Sequence, residues 1–176
     1  DSSGNTVTIT NDISKGKLKG WLDARDLDID RHLNNLDTLA HDLMEAVNTV
    51  HASGYGLDGS TLNNFFTGAA TAAGIEVNPL IANDTNLIAA ANGPDKPGDS
   101  SNAIAIANLQ EAPMMNGNTT TFGAYYDSMV SDAGFAVQQA TSYYDHQSQM
   151  VLQVENYRES ISGVSIDEET VNLIKY

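Results

Sequence analysis

The stretch Tyr125–Ile161, YYDSMVSDAGFAVQQATSYYDHQSQMVLQVENYRESI, decides the fold. From Phe135 to Ser162 it holds neither Pro nor Gly. Tyr126, Met129, Ala133, Ala136, Ala140, Tyr143, Gln147, Met150, Val154, Tyr157 and Ile161 follow one another in alternating steps of three and four. Only Gln147 among them is polar, so the stretch carries a heptad seam on one long helix. A further row, Val130, Val137, Tyr144 and Val151, recurs every seven residues beside it. A two-row seam suits a simple helix pair, whereas a third row widens the apolar face toward burial in a bundle. At 1.5 Å per residue the rod is about 55 Å long.

A second seam lies upstream. Ile29, Leu33, Leu36, Ala40, Leu43, Val47 and Val50 step by four and three through Asp28–Ser53, and Gly54 and Gly56 follow as stop signals. Asp28 and Asp30 then fall at the positive end of that helix. Its length of about 38 Å covers much of the longer rod but not all of it. The two seams are expected to pack against each other, leaving part of the Val130, Val137, Tyr144, Val151 row less protected.

The rest of the chain reads as shorter pieces. Val7 and Ile9 alternate with threonines in Asn5–Thr10, a strand pattern. Leu18, Trp21 and Leu22 form a short helical cluster, with Trp21 expected in the core. Between Gly54 and Gly117 lie turn clusters (GYGLDGS, NGPDKPGDSSN, MNGNTT) and the short apolar pieces LNNFF and GIEVN. Short helical turns are expected at Pro79–Ile81 and Asn86–Ala91. A buried helix is expected at Ala103–Gln110, capped by Ser101 or Asn102. Gly163 breaks the long rod, and Ser165 with Glu168 forms a capping box for a further helix carrying Val171 and Ile174. The fold class is therefore mainly α: long antiparallel helices in a bundle or coiled-coil rod, with short helices and a small β element.

Composition narrows function. The chain of 176 residues carries 23 acidic and 8 basic side chains, a net charge of -15, which repels nucleic acid and anionic membranes. It has no Cys, so disulfides, thiolate metal sites and Cys nucleophiles are excluded. No apolar run is long enough to span a membrane. His32, His41, His51 and His146 form no H-x-x-x-H pair, and His51 reads as a helix-end residue, where the dipole tolerates a cation. Asp23, Asp26, Asp28 and Asp30 lack the layout of a calcium loop. Gly117, Gly123 and Gly134 make no phosphate cradle, and no Ser sits in a nucleophile elbow. Asn83 and Asn118 begin glycosylation sequons, relevant only in a glycosylating host. No catalytic, cofactor-binding or metal-ligating residue is expected, and the chain does not read as an enzyme. The residues expected to do its work are packing residues: Ile29, Leu33, Leu36, Leu43, Val47 and Val50 on one helix, and Tyr126, Met129, Val130, Val137, Tyr144, Met150, Val154, Tyr157 and Ile161 on the other.

Several stretches resemble the flagellar hook-associated protein 1 family: Gly16–Gly59, FFTG at Phe65–Gly68, NAIAIANLQ at Asn102–Gln110, Asn116–Ala140 and Val151–Tyr176. ESISGVSIDEE in the last of these is the most specific, and GYGLDG and NGNTTTFGAYY favour this family over flagellin. The resemblance implies a noncatalytic structural subunit at the hook–filament junction, exported to the extracellular flagellum without a cleaved signal peptide. Its implied partners are copies of itself, neighbouring hook and junction proteins and an export chaperone, with no cofactor, nucleic acid or membrane. It also implies a domain plan: residues 1–16 returning from outer domains, a rod domain over 17–162 with an elaboration at 54–117, and the start of a terminal helix at 163–176. The chain, which starts at Asp1 and stops inside a helical pattern, is expected to be a fragment. The rival reading from the residues alone is a coiled-coil binding or adhesin-type module of an extracellular protein.

Overall fold

The computed structural model describes residues 12–162 and 166–175. The strand expected at Asn5–Thr10, the break at Gly163 and the capping box that begins at Ser165 fall outside the described residues. The protein is mainly helical, with a two-stranded antiparallel β element. In chain order, α1 (Gly16–Asp23) runs through a π-helical turn (Ala24–Ile29) into α2 (Asp30–Ser53). Strands β1 (Phe66–Gly68) and β2 (Ile75–Val77) follow, then α3 (Pro79–Asn83), a 3-10 turn (Thr85–Leu87), α4 (Ser101–Asn108), α5 (Phe122–Ser162) and α6 (Ile166–Lys175).

The long rod takes the form its seam demands: α5 is one helix of 41 residues. The upstream helix differs from its reading. Its backbone stays helical from Gly16 through Ser53, so Asp28 and Asp30 lie inside a helical run and not at its positive end. No Pro or Gly stands between Trp21 and Asp30 to stop it, and the carboxylates there are matched by neighbouring cations. Lys19 pairs with Asp23, Arg31 with Asp28 at 3.1 Å, and Arg25 donates to Asp26. The Arg25 hydrogen bonds hold the Asp26 carboxyl below its ordinary pKa. Trp21, expected in the core, is exposed.

The chain divides into two compact units, Asp1–Met129 and Val130–Tyr176. In the first, the core is built on α2 from its middle to its C-terminal end, where Ala40, Ala46, Val47 and His51 are buried, together with Ile81, Ala89, Ala91, Met115 and Met129. The small β element lies at LNNFF and GIEVN, with Phe66 opposite Val77 and Gly68 opposite Ile75. Gly68 has φ +86°, and a Cβ there would come within 2.2 Å of the Gly74 carbonyl oxygen, so only glycine closes this hairpin. Asn48 fastens it to α2: its amide nitrogen donates to the Phe66 carbonyl at 3.0 Å, and its oxygen accepts the Phe66 N–H at 2.8 Å.

Around α4 the expectations shift. The apolar pattern of Ala103–Gln110 suggested a helix buried on several sides, yet Ala103, Ile104 and Ala105 are exposed. Asn102 is the buried residue of α4, and its amide donates to the Ala89 carbonyl at 2.6 Å instead of capping the helix. Gly54 is required beneath it, because a Cβ at that position would meet Asn102 Nδ2 at 2.1 Å. Helix does not continue past the 3-10 turn: Ile88 is extended, and Tyr55 bridges Ala91.

Asp99 organises the turn before α4. Its carboxylate accepts the Ser101 hydroxyl at 2.5 Å, the Ser101 N–H at 2.9 Å and the Asn92 N–H at 3.1 Å. These bonds, the hydroxyl first and with help from Lys96, lower its pKa from 3.8 to about 2. A depressed carboxyl pKa stabilises the fold above the unfolded value and loses that contribution as pH falls through the folded one. The turn is therefore expected to stay intact at pH 4 and to loosen progressively as pH falls from 3.8 to about 2. Following the Asp99 carboxyl carbon and the Ser101 amide by NMR checks this; a midpoint at 3.8 would contradict it.

Candidate assembly surface

Side chains on an α-helix that recur every three and four residues share a stripe, so the seam of α5 and the row beside it form one broad face. Met129 is buried within the first unit. Beyond it, Val130, Val137, Tyr143, Tyr144, Met150, Val151, Val154, Tyr157 and Ile161 are all exposed, and Tyr126 just before it is exposed too. Ala133 and Ala136 are half-buried. On α5 itself Tyr143 of the seam and Tyr144 of the row beside it are exposed alike, at 64% and 71%. Within its own unit α5 thus carries a substantial exposed apolar face.

On the other seam, burial rises along the helix. Ile29 and Leu33 are exposed, Leu36, Leu43 and Val50 are half-buried, and Val47 is buried. The gradient follows the core, since the hairpin and α4 pack on the C-terminal half of α2. The polar residue that reasoning from sequence missed is His51. It is fully buried, with its ring edge-to-face against Phe65 at 5.4 Å between centroids. Nε2 accepts the Ala89 N–H at 2.9 Å, so Nδ1 carries the proton and donates to the Asn63 carbonyl at 2.7 Å. This imidazole is a structural cross-tie between two loops, not a helix-end cation.

Among the described residues, one group of donor side chains stands close enough together to suit a cation. His41, Asp42 and Glu45 have donor atoms within 4.8 Å of one another, on a largely exposed turn of α2. His41 Nδ1 lies 3.0 Å from Asp42 Oδ1. Asp23, Asp26, Asp28 and Asp30 instead engage neighbouring cations or solvent along the helix. No described helix is long and apolar enough to cross a membrane.

Residues 1–66 match a family model described as "Flagellar hook-associated protein FlgK helical domain". The chain is 29% identical over 153 residues to flagellar hook-associated protein 1 of Bacillus subtilis, covering 82% of this chain and 30% of that protein. It is 29% identical over 102 residues to the protein of the same name from Escherichia coli, and 29% identical over 108 to that from Salmonella typhimurium. Each of these two matches covers 58% of this chain and 19% of the relative. The chain thus spans less than a third of the length of the curated relatives it matches. These matches make the chain a distant homologue of the flagellar hook-associated protein 1 family.

Proposed function

We propose that this chain is the rod-building part of a noncatalytic structural subunit of the bacterial flagellum, acting at the hook–filament junction. The observation that carries this reading is the broad, exposed apolar face of α5, on a chain whose relatives bear the junction protein's name. An apolar face with recurring rows is suited to packing against other helices, which is what a subunit of a filament must do. In this reading residues 1–16 return from outer domains, residues 17–162 form the rod domain with its elaboration at 54–117, and residues 163–176 begin a terminal helix. The subunit is exported without a cleaved signal peptide and works outside the cell. Its partners are copies of itself, neighbouring hook and junction proteins and, before export, a chaperone.

Antibodies raised against the chain are expected to decorate the hook–filament junction of the source bacterium by immunogold electron microscopy. Labelling spread over the cell body and absent from the flagellum would favour an adhesin-type module instead. The packing role has its own expected result. Val137→Glu with Tyr144→Glu should abolish association of the α5 face while helicity is retained, because both side chains are exposed. Raised salt should strengthen that association in the unmodified chain, since it screens the net charge of -15. Light scattering across a salt series reads both effects. Strict monomers at high salt and high concentration would contradict the packing role.

A further inference from the structure

Asparagine precedes glycine at Asn92–Gly93 and again at Asn116–Gly117. A glycine in that place leaves its own nitrogen unshielded, so that nitrogen can attack the asparagine side-chain carbonyl. Both asparagines are exposed, yet the structure treats them differently. Attack requires the glycine nitrogen to lie on the same side of the Cα–C bond as Cβ. Asn116 has φ +52°, followed by Gly117 at +68° and Asn118 at +65°. Left-handed backbone carries ψ of about +47°, which turns the next nitrogen almost opposite Cβ. That turn is cinched: the Thr119 and Thr120 N–H groups both donate to the Met115 carbonyl, at 3.0 and 3.2 Å. The Thr119 hydroxyl donates to the Asn116 carbonyl at 2.9 Å.

Asn92 escapes these restraints. Its backbone is not left-handed. Among the described residues its side-chain amide has no hydrogen-bond partner and the Gly93 N–H no acceptor. Its own N–H is held by Asp99 at 3.1 Å. Lys96 lies across Gly93, where an added Cβ would meet Lys96 Cε and Nζ at 3.2 Å. Lys96 is the one Lys or Arg between Arg31 and Arg158. An ammonium in that place favours the negative charge that develops on the Gly93 nitrogen as its proton leaves. The Asp99 carboxylate nearby opposes it, but its charge is already spread over three donors.

We propose that Asn92 is a site of spontaneous covalent modification, deamidating through a cyclic imide with assistance from Lys96, while Asn116 is protected by its turn. Hydroxide removes the Gly93 amide proton. The nitrogen bonds to Asn92 Cγ, the Cγ–Nδ2 bond breaks, and ammonia leaves with a proton taken from water, which returns the hydroxide. Water then opens the five-membered imide at either carbonyl. One opening gives aspartate; the other gives its β-linked isomer, in which the main chain runs through the former side chain. Either product adds one negative charge to a chain that carries -15. The β-linked product also lengthens the main chain by one carbon between Ala91 and Gly93, both of them buried. Ala91 exchanges two backbone hydrogen bonds with Tyr55, at 2.9 and 3.2 Å, so the added carbon falls beside the tie that holds this loop to the segment after α2.

Peptide mapping by mass spectrometry after warming the whole chain at mildly alkaline pH reads the modification at each asparagine. In the folded chain Asn92 should be converted at least about tenfold faster than Asn116. In concentrated urea, where neither loop is held, the two sites should react at similar rates. Lys96→Gln should slow conversion of Asn92 about threefold or more in the folded chain and leave Asn116 unchanged, whereas Lys96→Arg should keep the rate. The proposal is overturned if Asn116 reacts as fast as Asn92 in the folded chain, or if Asn92 stays unmodified there while it reacts in urea. It is equally overturned if Asn92 reacts in Lys96→Gln as it does in the unsubstituted chain, or if urea leaves the preference for Asn92 in place. None of these outcomes bears on where antibodies locate the protein, so the modification can fail while the flagellar reading stands.

Discussion

Replacing His51 with alanine should destabilise the first unit by about 4 kcal/mol, close to the whole stability of many small domains. The estimate sums distinct losses. The Ala89 N–H and the Asn63 carbonyl would be left without partners in a site where His51 is fully buried, at about 1–3 kcal/mol for each group that stays dry. The vacated ring volume and the edge-to-face contact with Phe65 add a cavity term. Partial collapse and entering water offset some of this. Amide hydrogen exchange at Ala89 is the sharpest measurement, because that proton is held by the imidazole itself. Protection at Ala89 unchanged in His51→Ala would show that the cross-tie contributes little.

Met115→Ala should cost about 3 kcal/mol, the usual scale for emptying a fully buried methionine site. Met115 has no exposed surface, and its backbone is fixed by a bridge to Thr120 through an N–H···O bond of 2.8 Å. The site therefore has little freedom to collapse around the smaller side chain. Met150→Ala is the natural control: that side chain is exposed on α5, and its loss should change stability by no more than about 0.5 kcal/mol. Urea unfolding followed by circular dichroism compares the two. Equal midpoints would mean that Met115 fills no space that matters.

The elements that were legible are those with a long local signal. Eleven seam positions interrupted by a single glycine, Gly134, and no proline left α5 no alternative to a helix, and its ends at Phe122 and Ser162 lie within a few residues of the reading. Features set by distant chain segments were not legible. His51 is buried because Asn63 and Ala89, 12 and 38 residues later, return to it, and nothing beside it in sequence announces that. Three-residue strands are too short to show alternation, so the hairpin at Phe66–Val77 was read only as two apolar pieces. Trp21 was misplaced by treating a large apolar residue as core, although lysines on both flanks of its face were visible. The rows of the candidate surface could be listed from periodicity alone, while burial depends on what lies across from them.

The amide of Asn48 behaves toward Phe66 as a neighbouring strand would, offering one donor and one acceptor to its peptide groups. Phe66 is also paired with Val77, so both sides of β1 at that residue are taken. An open strand edge is a template on which another chain can lay down a strand of its own, the usual start of uncontrolled aggregation. A single side chain on α2 closes that template at β1. At Phe66, contact with another chain is thereby left to side-chain surfaces, where charge and shape can discriminate between partners.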